Sequence, residues 1–362
     1  MKKIFFVFAA WMLVLSCSRG FRTETRTDPN GYSYRVVNGD PQQVRIYTLK
    51  NGLTVYMVRM NDVPRVQTFI VVKAGSTYDP KETTGLAHYL EHMMFKGNSR
   101  IGSLDWEKEK VLLQQISDLF EQHKKSNDSV EKKTIYRRID SLSVLAANYC
   151  VASEYDKMVS SIGAIGTNAW TSNEQTVYVN DIPANEIAKW IKLESVRFSE
   201  LTLRLFHTEL ETVYEEFNMG QDRDQRRQFH ALYEALFPTH PYGTQTTIGR
   251  PEHLKNPSME NIHRYFSTYY VPNNMAICLS GDLDYDKTIQ MIDSSFGALK
   301  PNPSIPAFVS PEEKAIDSAV VRNVYGPEPE NLVLAYRLNG VKSKDRIYAT
   351  ILDRILGNGT AG

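Results

Sequence analysis

Alternating apolar and polar residues predict the strands of this chain. Residues 44–49 alternate as a half-buried strand does, Asn51-Gly52 supplies a hairpin turn, and residues 53–60 predict the returning strand. The same reasoning predicts strands at residues 65–74, 166–179, 276–280 and 332–336.

Helical periodicity predicts the remaining elements. Apolar residues recur every three or four positions in residues 86–95, 184–198, 207–236 and 343–356. Residues 104–155 are dense in charged side chains, yet apolar residues such as Ile116 and Ile139 keep a helical spacing there. Because residues 126–128 interrupt that spacing, we expect two helices joined as a hairpin.

The first residues predict an export signal. Lys2 and Lys3 precede an apolar run at residues 4–15, which is shorter than a helix that spans a bilayer. Val14-Leu15-Ser16-Cys17 has the pattern of a lipobox, so residues 1–17 are expected to be a lipoprotein signal peptide with a lipid anchor to the membrane at Cys17. An ordinary secretory signal is the alternative. The first interpretation predicts a cell-envelope lipoprotein facing the periplasm, and the second a secreted or periplasmic protein.

Composition shifts predict the domain organisation. Residues 18–42 lack any apolar period and are expected to form a flexible tether. Residues 43–300 are interpreted as one domain, and three prolines between positions 301 and 306 predict a linker over residues 301–324. Residues 325–362 are expected to begin a second domain that is incomplete within this chain.

Charge and cysteine content narrow the classes of function. Lys and Arg total 42, and Asp and Glu also total 42, so the formal net charge is zero. A broad basic surface for nucleic acid is therefore not expected. After Cys17, only Cys150 and Cys278 remain in the 362 residues, and we expect both to be buried free thiols.

The first predicted helix carries a metal-binding pattern. His88 and His92 are four positions apart, so their imidazoles lie on one helix face about one turn apart. Two nitrogens placed in this way can bind one tetrahedral Zn²⁺. Glu91 lies on the same side and can reach a water on the metal, which is the H-x-x-E-H order of the inverzincins.

A second helix can supply the third protein ligand that a catalytic zinc needs. Four carboxylates fall between positions 209 and 216, and Glu209 and Glu216 share one helix face with Val213. The residues alone leave open which of this pair binds metal and which orients a ligand or the water. Glu211 and Glu215 fall on another face and are expected to be solvated.

Several stretches in the same order resemble the pitrilysin, insulysin and mitochondrial processing peptidase family. Residues 85–97 resemble its active-site helix almost residue for residue. Residues 166–178 are similar to its substrate-binding strand, and residues 209–216 to its carboxylate-bearing helix. Further matches to its first domain are residues 240–243, 269–275 and 281–282.

The resemblance implies a role for each candidate side chain. His88, His92 and Glu216 would be the zinc ligands. Glu91 would be the general base, and Glu209 would be a carboxylate that supports the ligands from behind.

The resemblance also implies the substrate, the fold and the partners. The strand carrying Asn168 and Ala169 would pair with the backbone of a peptide substrate. The fold would be α+β, with a mostly antiparallel sheet, helices packed on one face and the start of a second similar domain. Family enzymes close two half-shells around a chamber, so a missing C-terminal half or a partner subunit would be needed.

One departure from the family concerns spacing. His92 and Glu216 are separated by 216 − 92 = 124 positions, which is wider than in relatives by roughly the length of the charged hairpin. We therefore interpret residues 104–155 as an insertion beside the site.

The resulting hypothesis is a zinc-dependent metalloendopeptidase that hydrolyses peptides or small unfolded proteins in the cell envelope. The alternative is a non-catalytic homologue that serves as a structural or peptide-binding envelope lipoprotein. Whether the isolated chain is active stays open at this stage, because the resemblance implies that it holds only part of the enzyme.

Overall fold

The computed structural model describes residues 21–357. The expected signal peptide and the lipidation site at Cys17 lie outside the described residues. The chain divides into two compact units. Among the described residues, one unit comprises residues 21–214 together with Thr247–Phe308, and the other comprises Glu215–Thr246 and residues 309–357.

The first unit is built on one sheet. Its strands are β1 (Thr23–Thr27), β2 (Ser33–Val37), β3 (Arg45–Thr48), β4 (Thr54–Arg59), β5 (Arg65–Val72), β6 (Ile165–Thr171), β7 (Thr176–Pro183) and β8 (Met275–Gly281). Their order across the sheet is β1-β2-β3-β4-β8-β5-β7-β6. Only the β4–β8 pair is parallel among the neighbouring strands that the structure describes.

Helices account for most of the remaining regular structure in residues 21–357. They are α1 (Leu86–Met93), α2 (Trp106–Lys125), α3 (Ser129–Ala147), α4 (Glu154–Ser161), α5 (Ile187–Arg197), α6 (Phe206–Gln221), α7 (Asp224–Leu236), α8 (Pro241–Thr244), α9 (Pro251–Leu254), α10 (Met259–Tyr269), α11 (Tyr285–Phe296) and α12 (Asp345–Gly357).

The helices cover one face of the sheet. Burial alternates along β5 and β8, so Ile70 and Ile277 point to the covered face while their chain neighbours are half-buried. The buried Tyr178 of β7 lies opposite Ile70. Trp190 of α5 reaches that face and donates from Nε1 to Asn180 Oδ1 at 2.9 Å. This arrangement confirms the α+β fold with a mostly antiparallel sheet.

The flexible tether expected at residues 18–42 is wrong over residues 23–37, which contain β1 and β2. β1 and β2 form an antiparallel hairpin that extends the sheet through β3. Asp28 closes the turn, because its Oδ1 accepts hydrogen bonds from the backbone N–H groups of Asn30 and Tyr32 at 2.9 Å each. Tyr34 and Val36 are buried, which gives this polar segment the apolar contacts that order it.

The charged segment forms the expected helical hairpin from α2 and α3. Asp105 caps α2 by accepting from Lys108 N, and Asp128 caps α3 by accepting from Val130 N at 2.7 Å. Few residues of these two helices are buried. They are Glu109, Ile116, Leu119, Phe120, Ile139 and Ala146.

Two elements were predicted as single pieces but form pairs. The strand expected at residues 166–179 is the hairpin of β6 and β7, whose turn at Ser172 and Gln175 is closed by backbone hydrogen bonding. The helix expected at residues 207–236 is broken into α6 and α7. Neither break contains proline, so the sequence offered little warning.

The second unit contains α7, α8 and α12. The strand expected at residues 332–336 is wrong, because these residues are exposed and lie outside helices and strands. A strand needs a neighbour for its backbone hydrogen bonds, and no described strand pairs with this segment. The expected domain boundaries stay predictions.

Two further observations concern the described residues. Each helix within residues 21–357 is either too short or too polar to span a bilayer. Cys150 and Cys278 are free, as expected, although each is half-buried rather than fully buried.

Candidate metal and catalytic site

Helix α1 presents the candidate metal residues, and its N-terminus is held by a buried carboxylate. Gly85 precedes the helix with φ of 84°, a left-handed conformation that suits glycine. Asp79 accepts hydrogen bonds from Gly85 N at 2.8 Å and Ala87 N at 2.9 Å. Burial raises the pKa of Asp79 to about 8, although these N–H groups act in the opposite direction.

His88 and His92 meet on one side of α1. Their Nε2 atoms are 3.2 Å apart, and their ring centroids are 4.7 Å apart. Two nitrogens bound tetrahedrally at ~2.0–2.1 Å to one Zn²⁺ would be about 3.3 Å apart. The observed separation therefore fits a shared ion.

Glu209 supports His92 from behind. Its Oε1 lies 2.8 Å from His92 Nδ1, and its Oε2 lies 2.6 Å from Lys96 Nζ. Burial of Glu209 favours a higher pKa, but the hydrogen bonds from His92 and Lys96 outweigh it and lower the pKa. A carboxylate on the far nitrogen of a metal-binding imidazole fixes its tautomer and orientation.

Glu216 lies two turns after Glu209 on α6. His88, His92 and Glu216 each offer one ligand atom, and these atoms all lie within 4.8 Å of one another. Two imidazoles and one carboxylate form the donor set of a common class of catalytic zinc site. Glu211 and Glu215 of the same helix are exposed, as expected.

Glu91 is buried on α1 and contacts the sheet. The hydroxyl of Thr171, at the end of β6, donates to Glu91 Oε2 at 2.5 Å. Because β6 belongs to the sheet and Glu91 to the helix, this bond ties the candidate base to the candidate substrate strand.

Asn168 and Ala169 lie on β6, at the edge of the sheet. β7 pairs with one side of β6, and no other described strand lies along its second side. Asn168 is exposed and Ala169 half-buried, so this edge is open to solvent. An open edge can accept an added strand.

The sequence reasoning missed Lys96, Thr171 and Asp79. Lys96 lies three residues beyond the end of α1, and its position behind His92 is shown by its contact with Glu209. Thr171 and Asp79 reach α1 only through tertiary contacts, which a residue pattern does not encode.

Three other histidines make contacts outside the candidate site. His207 lies 3.8 Å from Asp140 and 3.9 Å from Glu211. His253 Nδ1 lies 2.8 Å from Thr84 Oγ1, and His240 is a turn element that accepts from Tyr242 N.

The fold and the site together define a class, namely an α+β domain with an H-x-x-E-H helix facing a carboxylate-bearing helix. Two family models match the chain. One is described as "Insulinase (Peptidase family M16)" and covers residues 55–124. The other is described as "Peptidase M16 inactive domain" and covers residues 258–362. Both models are of M16 peptidase domains, so the chain is similar to that family over these two stretches.

Individual relatives are distant. "Zinc protease PqqE" of Helicobacter pylori is 26% identical over 323 residues, which cover 86% of this chain and 60% of that protein. The probable mitochondrial-processing peptidase subunit beta of Arabidopsis thaliana is 21% identical and covers 87% of this chain and 51% of its own length.

A solved structure supports the same fold. The first half of the periplasmic protease PqqL from Escherichia coli superposes with a TM-score of 0.58 at 18% identity, covering 77% of this chain and 50% of that one. The chain thus spans 60% and 51% of the length of the two relatives above, and 50% of the solved first half of PqqL.

Proposed function

We propose that the chain carries the zinc site of a metalloendopeptidase that hydrolyses peptides or small unfolded proteins in the cell envelope. The observation that carries this proposal is the convergence of His88, His92 and Glu216, with Glu91 on the same helix. The zinc proteases among the relatives support the same class of activity.

In the proposed mechanism, His88, His92 and Glu216 hold Zn²⁺. When bound, the ion lowers the pKa of its water ligand to about 7 and polarises the scissile carbonyl. Glu91 accepts the proton of the attacking water and delivers it to the leaving amine. The Thr171 hydroxyl holds the Glu91 carboxylate through its hydrogen bond to Oε2.

The substrate would bind as an extra strand along β6. Its backbone would pair with the open edge at Asn168 and Ala169, which places an extended peptide beside Thr171 and therefore beside Glu91. Such pairing recognises the backbone of the peptide and not one particular side chain, so it suits extended peptides of varied sequence.

The remaining parts of the proposal concern location and partners. The apolar run before Cys17 supports export, and a lipid anchor at Cys17 would hold the protein in the envelope. Because the chain spans 51% of the mitochondrial subunit and 26% of the full PqqL structure, we propose that a C-terminal half or a partner subunit completes the substrate chamber.

The test is Glu91→Gln in the protein that carries this chain. The variant should retain its zinc and lose peptide hydrolysis, because the amide cannot take a proton from water. Glu211→Gln, an exposed change on α6, is the matched control and should retain both. Normal hydrolysis by Glu91→Gln would refute its role as base, and a zinc-loaded wild type without peptidase activity would favour the non-catalytic alternative.

A further inference from the structure

A buried arginine holds the loop that follows the candidate metal helix. Arg204 is 1% exposed and precedes α6. Its Nη1 donates to the carbonyl oxygens of Lys96 at 2.8 Å and Ile101 at 2.9 Å, and its Nη2 donates to Asn98 O at 3.1 Å. Its Nε and Nη2 also donate to the two carboxylate oxygens of Glu109, at 2.5 and 2.8 Å. All five N–H groups of the guanidinium are thus used.

Two glycines make room for this guanidinium. A Cβ on Gly102 would lie 2.6 Å from Arg204 Nη1, and a Cβ on Gly97 would lie 3.2 Å from the same atom. Both residues have positive φ, at 89° and 81°, which disfavours any side chain there. Residues 96–102 are therefore shaped around Arg204.

Glu109 supplies the negative charge in this cluster. It is fully buried in the first turn of α2, within the hairpin at residues 104–155. The other acceptors of Arg204 are neutral carbonyl oxygens. A buried cation that loses its counter-ion is strongly destabilised, so the loop depends on a residue that the hairpin contributes.

Lys96 connects this cluster to the metal site. Its carbonyl accepts from Arg204, and its ammonium lies 2.6 Å from Glu209 Oε2. The other oxygen of Glu209 lies 2.8 Å from His92 Nδ1. Each contact in this path is within 3 Å and involves a side chain that is at least partly buried.

We propose that Glu109 is a positioning residue for the metal centre, acting through Arg204, Lys96 and Glu209 to hold the His92 imidazole. The inference rests on the proposed function in taking His92 as a zinc ligand. In this proposal, the charged hairpin functions by completing the chain of contacts that supports His92.

The test is a double-mutant cycle on the full chain with Glu109→Gln and Lys96→Met. The zinc dissociation constant is measured by competition with a chelator. Replacing the direct partner of a metal-bound histidine typically weakens binding by ~10–100-fold. We expect a smaller loss, roughly 3- to 10-fold, for Glu109→Gln, and no further loss when it is added to Lys96→Met, because both act along one path.

The control is Glu194→Gln. Glu194 is also fully buried and paired with an arginine, Arg197, at 2.6 Å, but the pair lies within α5 and its carboxylate contacts Tyr155. This variant should lose stability while its zinc affinity stays within about twofold of the wild type. Equal losses of affinity in Glu109→Gln and Glu194→Gln, or additive losses in the double mutant, would overturn the proposal.

A metal-free measurement separates this inference from the zinc hypothesis. The ring resonances of His92, assigned by their loss in His92→Gln, should shift in Glu109→Gln and in Lys96→Met but not in Glu194→Gln. If the wild type bound no zinc, the proposed function would be wrong. The shifts of the His92 resonances would still show whether Glu109 positions this side chain. If Glu109→Gln did not fold, Glu109→Asp would replace it, since it keeps the charge but shortens the reach to Arg204.

Discussion

Glu209 directly supports the candidate metal ligand His92, because Glu209 Oε1 lies 2.8 Å from His92 Nδ1. The carboxylate is buried and also paired with Lys96, so its position is fixed from two sides. The imidazole is thereby held with Nε2 directed toward Nε2 of His88.

Glu209→Gln should weaken zinc binding by roughly 10–100-fold without unfolding the chain, because the neutral amide orients His92 less firmly. Chelator competition measures the change. Glu215→Gln, an exposed substitution on the same helix, should have no effect. An unchanged affinity in Glu209→Gln would show that the contact does not support the metal.

Asp79 should give the chain a specific pH dependence of stability. Its pKa is about 8 in the folded chain against 3.8 for the ordinary side chain, so folding favours the protonated form. The stability that Asp79 contributes is then full below about pH 4 and is lost as the pH rises toward 8. When thermal unfolding is measured from pH 4 to 9, the melting temperature should fall less steeply with rising pH in Asp79→Asn than in the wild type. Parallel curves for the two proteins would contradict this assignment.

Thr171→Val should lower kcat while zinc stays bound. A hydrogen bond to a charged group contributes about 1.5–3 kcal/mol, so losing the bond to Glu91 should slow hydrolysis by about tenfold or more. Thr171→Ser keeps the hydroxyl and should retain most of the rate. Steady-state kinetics with one peptide substrate compares the three proteins, and equal rates for valine and serine would exclude the role.

Local patterns predicted the parts of the fold that depend on local chemistry. The period of α1 placed His88 and His92 on one face, and Asn51-Gly52 marked the turn between β3 and β4. The shared face of Glu209 and Glu216 was also visible, although only the contact with His92 shows what Glu209 touches.

The errors and omissions arose where distant residues decide the structure. β2 is ordered because the Tyr34 ring packs against the Tyr47 ring of β3, with 5.2 Å between the ring centroids. Tyr34 lies in a segment whose polar sequence predicted a flexible tether. Glu109 and Arg204 are 95 positions apart, so no periodicity could pair them. The segment at residues 332–336 has an apolar pattern but no described partner strand, and a pattern alone does not form a strand.

Zinc analysis of the wild-type chain and of His88→Ala decides whether His88 helps to bind zinc. We expect about one zinc per wild-type chain after careful removal of loosely bound metal, and loss of that zinc in His88→Ala, because a site with three protein ligands would lose one of them. A wild-type chain without zinc, or a His88→Ala chain that retains it, would contradict a zinc site at His88, His92 and Glu216.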